Sequence, residues 1–81
     1  MKEMICEKLE QITNDLQELN NNTTIDKRTK ILNIEHRLGE YNAYWICLQK
    51  IDVETAVKMH EKSKDIKNRS LQAVSDIYKL Y

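Results

Sequence analysis

The sequence predicts an all-α fold, an antiparallel three-helix bundle or a long helical hairpin with a shorter N-terminal helix, and it predicts that this fold self-associates. Three observations carry the expectation. The 81 residues contain no proline and one glycine, so almost nothing interrupts a helix. Apolar residues recur at steps of three and four, and no stretch shows the period of two that a half-buried strand needs. Two short breaks, at Asn20-Asn21-Asn22 and at Asp52, divide the chain into three helical stretches of one domain, 1–81. A chain this short buries only about 60 to 65% of its unfolded surface. Association with further copies is the expected supplement.

The first stretch, 2–19, sets Ile5, Leu9, Ile12, Leu16 and Leu19 at four-three-four-three spacing, the mark of an amphipathic helix with a single seam. Two lysines stand there against five acids, so it is the acidic element. The asparagines that follow tolerate the left-handed backbone of a helix end and compete for helical hydrogen bonds. They make the first turn.

The second stretch, 25–50, has Thr23 and Thr24 as candidate N-caps, and with Thr23 in that role Asp26 falls at the third helical position in a variant of the capping box. It carries two apolar stripes. Ile31, Ile34, Leu38, Tyr41, Trp45 and Leu48 form an ordinary seam, whereas Leu32, Gly39, Ala43 and Ile46 lie on the opposite side. Neighbours in a three-helix bundle cover adjacent sectors of a helix, not opposite ones, so the second stripe is left for something else to cover.

Asp52 reads as the N-cap of the third stretch, 53–81, and so short a link makes the last two helices antiparallel neighbours. The seam of the third helix is Ala56, Met59, Ser63, Ile66, Ser70, Ala73, Ile77 and Leu80, half of it small residues that allow close approach. Leu71, Val74, Tyr78 and Tyr81 widen the apolar face towards the end, while Lys58, Lys62, Lys64, Lys67 and Arg69 stud the middle. The end should be buried and the middle wetter. Folding the helices back at their turns sets Leu16 and Leu19 beside Val74 and Ile77, and Ile12 beside Ser70. The first helix then runs out near Tyr44, so residues 46–57 should project as a bare tip. The expected monomer core includes Leu9, Ile12, Leu16, Ile34, Leu38, Leu71 and Val74, with Trp45 mostly buried.

Composition removes several functions. Thirteen basic and thirteen acidic residues balance, so no global charge draws the chain to nucleic acid or an anionic membrane. The longest apolar run, 43–48, is far short of the roughly 20 residues that a membrane span requires. Two distant cysteines are not a secreted disulfide framework, and the opening residues lack the basic-then-apolar pattern of an export signal. A cytoplasmic protein with reduced thiols is expected. Lysine, isoleucine and asparagine fill 26 positions, a bias that AT-rich codons produce and that fits a low-GC bacterium, a phage or a virus.

Cys6, Cys47, His36 and His60 are the candidates for nucleophilic catalysis, but all sit on helices and no glycine-rich loop offers an oxyanion site. No enzyme and no cofactor are expected. His36 and Glu40 are four apart yet two ligands short of a metal site, so no metal is expected either. Leu38-Gly39-Glu40 resembles the turn of a helix-turn-helix, but Glu35 and Glu40 occupy positions that need small or apolar residues, and 41–47 holds no base to meet phosphate. The alternative is a nucleic-acid-binding regulator acting through Lys58 to Arg69, a stretch diluted by Glu61 and Asp65. The leading expectation is a protein-binding adaptor or inhibitor. Its partner, a second copy or another protein, should meet the second helix at Leu32, Gly39, Ala43, Tyr44 and Ile46, with Gly39 serving as a packing glycine and Tyr44 as the aromatic contact at the bare tip.

Overall fold

A computed structural model describes residues 1–79 and contains three helices, α1 (Lys2–Asn21), α2 (Lys27–Ile51) and α3 (Val53–Tyr78). They pack as an elongated antiparallel bundle of about 40 × 19 × 17 Å. Leu80 and Tyr81, expected at the end of the third helix, lie outside the described residues.

The caps explain where the helices begin. Asp52 starts α3 as expected, its carboxylate accepting from the Thr55 backbone N–H at 3.2 Å and from the Thr55 hydroxyl at 2.8 Å. The cap of α2 is Asp26 and neither Thr23 nor Thr24, for Asp26 Oδ2 accepts from Thr29 N at 3.3 Å. A carboxylate there also meets the positive end of the helix dipole, which a threonine hydroxyl does not. Asn22 Oδ1 instead accepts from the Thr24 backbone N–H at 2.8 Å and its hydroxyl at 2.7 Å, closing a turn over 22–24. Lys30 Nζ then donates to the carbonyls of Asn20 and Asn22 at 3.3 and 3.1 Å, which satisfies the end of α1.

The core joins Ile5, Leu9, Ile12 and Leu16 of α1 to Ile34, Tyr41 and Leu48 of α2 and Ala56 and Met59 of α3. Tyr41 is fully buried, and its hydroxyl would be costly there without partners. It donates to the Met59 carbonyl at 3.2 Å and lies against Ser63 Oγ, which itself donates to the same carbonyl at 2.8 Å. The small residues of α3 thus make room for an aromatic ring and satisfy its polar end. Ser70, also buried, donates to the Ile66 carbonyl at 2.9 Å.

The expected register is wrong by about two helical turns. Asn20, not Ile12, faces Ser70, with Asn20 Nδ2 3.1 Å from Ser70 Oγ, and Lys2 Nζ reaches Asp52 Oδ2 at 3.1 Å. Relative to the expectation α1 has slid eight residues, about 12 Å, towards Asp52. The link 22–26 is long enough to leave the register open, so the packing of the α1 seam on Ile34, Tyr41 and Leu48 sets it, and Arg37 Nε lies 3.6 Å from Asp15 Oδ2 in that register. The end expected to be bare is therefore covered by α1. The uncovered end is the other one, formed by the first turns of α2 and the last turns of α3.

That slide corrects three further expectations. Leu71 is 55% exposed and is no core residue, since it turns away from α1 near the level where α1 ends. Leu38, Val74 and Trp45 are only half-buried, packed against the core rather than inside it. Along α3 the wetness is not distributed as expected, for Met59, Ser63 and Ser70 in the middle are buried while Leu71 and Tyr78 near the end are exposed.

Candidate functional site

Arg28, Leu32, Glu35, Gly39, Asn42 and Ile46 follow one another on α2 at steps of four and three, and all six are exposed, as is Ala43 beside them. Leu32 is 61% exposed, the larger value of the two big apolar residues on this stripe. A Cβ added at Gly39 would meet nothing within 4 Å, so Gly39 is not a packing glycine within the chain. Tyr44 does not belong to this face. It is half-buried against the core, because α1 covers the end that was expected to be bare.

The structure brings α3 alongside this stripe. Tyr78 donates its hydroxyl proton to Glu35 Oε1 at 2.8 Å, the rings of Trp45 and His60 lie 5.9 Å apart, and Lys67 Nζ stands 4.3 Å from the centre of the Tyr41 ring. His60, Lys67 and Tyr78 therefore face α2 on the side away from α1. The opposite side of α3 carries Ile66 and Ser70, which Asn20 of α1 reaches. Helical spacing places Val53, Val57, Lys64 and Leu71 with the first group. Helical spacing thus sets Leu32, Ile46, Val53, Val57, Leu71 and Tyr78 on the same side of the α2/α3 hairpin, and the cleft shared by Leu32 and Tyr78 joins the two helices there. These are six of the nine large hydrophobic residues exposed among the described residues, so the exposure is concentrated and not scattered.

At the uncovered end this face deepens into an apolar cleft of about 410 Å³ lined by Arg28, Ile31, Leu32 and Tyr78. Its surroundings are close to balanced. Lys64 and Glu61 pair at 3.0 Å, Glu35 keeps its charge while accepting from the neutral Tyr78 hydroxyl, and Arg28 is exposed at the mouth. Burial beside the Tyr41 ring pulls the Lys67 ammonium below its usual range, and its Nζ lies 3.1 Å from His60 Nδ1. The neighbouring Glu35 carboxylate raises the Tyr78 hydroxyl above the ordinary tyrosine value. On the other flank of α2, a polar groove of about 300 Å³ is lined by Asp15, Glu18, Leu19, Asn22, Asn33 and Arg37.

The candidates for other chemistry do not converge. Cys6 is half-buried on α1 and Cys47 exposed on α2, whereas His36 meets Glu40 at 3.2 Å and His60 meets Lys67. Among the described residues no three His, Cys, Asp or Glu side chains gather as a metal cluster. Leu38, Gly39 and Glu40 run through the middle of α2, so they form no turn. Of the basic stretch on α3, Lys67 is turned inward and Lys64 is paired, leaving Lys58, Lys62 and Arg69 outward. No described helix is long and apolar enough to cross a membrane.

Comparison with known proteins finds no matching family model, no similar curated protein and no similar solved structure. The functional reading rests on the face itself. Its α3 half, Val53, Val57, His60, Lys64 and Leu71, escaped the sequence reading although the signal was present. Those positions, with Lys67 and Tyr78, repeat at helical spacing, but Leu71 and Tyr78 also adjoin the buried seam, and by spacing alone they merge with it.

Proposed function

We propose that this chain is a non-enzymatic interaction module, an adaptor or inhibitor, whose partner protein or second copy docks on the outer stripe of α2 at Leu32, Gly39, Ala43 and Ile46. The observation that supports it is the concentration of half-exposed large apolar side chains on one side of the bundle. Single exposed apolar residues need no explanation, whereas their concentration on one side costs solubility and is a feature of binding surfaces. Gly39 adds to this reading. A glycine inside a helix costs about 0.5 to 1 kcal/mol relative to alanine, and here no neighbour within the chain requires it. Close approach of another backbone would.

Ala43→Arg tests the proposal, because a bulky cation on the stripe blocks docking but sits on an exposed helix position that tolerates it. The expected result is loss of partner capture or of self-association, with the far-ultraviolet circular dichroism of the wild type. A variant that keeps both the wild-type mass in solution and the wild-type partners ends the proposal.

A further inference from the structure

We infer that Lys67 and His60 act on α3 as a nucleophile with its base, and that Lys67 is the amine of this chain that small acyl thioesters modify while His60 takes the proton. This modification site does not depend on the docking reading above. His60 and Lys67 stand seven residues apart, two turns along one side of α3, and Lys67 Nζ lies 3.1 Å from His60 Nδ1. That is the hydrogen-bond contact which a nucleophile and its base need. Both members are positioned from α2. Trp45 donates from Nε1 to the Ala56 carbonyl at 2.8 Å and sets its ring 5.9 Å from that of His60, tilted by 46°. The Tyr41 ring, held by its hydroxyl on the Met59 carbonyl, lies 4.3 Å from Lys67 Nζ. The pair stays open to a reagent, since His60 is exposed and Lys67 half-buried on the side of the hairpin that α1 leaves uncovered.

Other lysines are held differently. Lys2 and Lys64 pair with Asp52 and Glu61 at 3.1 and 3.0 Å, and these carboxylates raise the two ammonium groups above the usual range. Lys30 gives its protons to the carbonyls of Asn20 and Asn22. Among the described residues no carboxylate pairs with Lys67, and burial draws its ammonium the other way, so more of it carries a free lone pair than on an exposed lysine. The Tyr41 ring attracts the ammonium but, unlike a carboxylate, has no net charge. In the reaction Nζ adds its lone pair to the thioester carbonyl carbon. The proton that the nitrogen of the adduct then sheds passes to His60 Nδ1, which is free to accept when the neutral ring carries its proton on Nε2. The C–S bond breaks, its electron pair leaves on sulfur as a thiolate, and Lys67 keeps the acyl group as an amide. His60 returns the proton to the thiolate or to water. The product has lost one cation and, with it, the attraction to the Tyr41 ring.

The experiment incubates the full chain with N,S-diacetylcysteamine, a small acyl thioester, and measures the initial acylation rate of each lysine by digestion and mass spectrometry. Lys58 and Lys62, exposed on the same helix, are the references. The expected result is acylation of Lys67 at least about tenfold faster than either, a lower bound on what a positioned base contributes. His60→Gln, at an exposed position, should bring Lys67 down to the reference rate with the circular dichroism of the wild type. In the wild type the ratio of the Lys67 to the Lys62 rate should fall as pH drops through about 6 to 7, where imidazoles protonate and cease to accept. The charged groups beside His60 are Lys67, Glu61 and Lys64, all on α3, while α2 sets the uncharged Trp45 ring against it. Glu61 is lowered and Lys64 raised by their pairing, so neither titrates in that window. Lys67 acylated no faster than Lys58 and Lys62 overturns the inference. A rate advantage that His60→Gln leaves intact overturns it too, since burial and not a base would then be the cause. If the variant unfolds, the wild-type pH profile decides alone, and a flat ratio overturns the inference.

Discussion

On the side of the α2/α3 hairpin that α1 covers, Ile34, Tyr41, Leu48 and Ala56 have no solvent exposure, whereas on the other side Leu32, Val57 and Leu71 keep more than half of theirs. The same two helices build both sides, and both carry large apolar residues at helical spacing. What differs is the cover and the polar chemistry. Inside, the one phenol is satisfied by a serine and a carbonyl, and the approach of the helices is set by Ala56, Ser63 and Ser70. Outside, the Lys67 ammonium lies over that buried ring and His60 lies beside Trp45, while Leu32, Val57 and Leu71 face solvent. The comparison teaches that an apolar stripe is not by itself a core. It becomes one only where the chain has an element left to lay on it.

The largest expected effect breaks the covered side. Leu16→Ala removes a fully buried side chain and leaves a cavity, which should cost about 2 to 5 kcal/mol, enough to unfold much of a small domain. Thermal unfolding followed by circular dichroism measures it, and wild-type melting would place Leu16 outside the core.

A smaller loss is expected at the end that α1 clasps. Hydrogen bonds from Thr55 and from Lys2 hold the Asp52 carboxyl at about 2, below its ordinary 3.8. A carboxylate with a depressed value in the fold stabilises above the unfolded value and ceases to do so as pH falls through the folded one. The melting temperature of the wild type should therefore drop between pH 4 and pH 2 by more than that of Asp52→Ala, which lacks the cap and starts lower at pH 7. Equal slopes in that window would deny Asp52 its role.

The next substitution sharpens the comparison by separating folding from docking. Gly39→Ala should raise stability by about 0.5 to 1 kcal/mol, since the added methyl meets nothing in the chain and the helix gains a better former. If a partner helix approaches there, the same change weakens its binding. A destabilised variant in chemical denaturation would mean that Gly39 packs within the monomer after all. Smallest of all, Leu71→Gln on the uncovered side should alter stability by less than about 0.5 kcal/mol in the same denaturation assay.

Much of the fold was legible because α1 has a single seam, α3 begins at an aspartate cap, and the spacing of Ile34, Tyr41 and Leu48 matches what is buried. The register was not legible. A five-residue link fixes the order and direction of two helices but not their sliding, which is settled by how the α1 seam packs on Ile34, Tyr41 and Leu48, with Asp15 to Arg37 and Lys2 to Asp52 as surface pairs that match it. From that one slide follow the misplacement of the bare end, of Tyr44 and of Leu71. Leu32, Gly39, Ala43 and Ile46 could be picked out since a stripe opposite a seam has nowhere to go in a small bundle. Their continuation onto α3 could not be separated from the seam until Tyr78 was seen to reach Glu35.

That one side of the hairpin is closed by α1 and the other is the proposed docking side is tested most directly by the double variant Leu32→Gln/Leu71→Gln. Melting and partner capture or self-association are measured on the same sample. The account predicts wild-type melting within a few degrees together with at least tenfold weaker binding. Melting as damaged as that of Leu16→Ala, or binding as tight as that of the wild type, would contradict it.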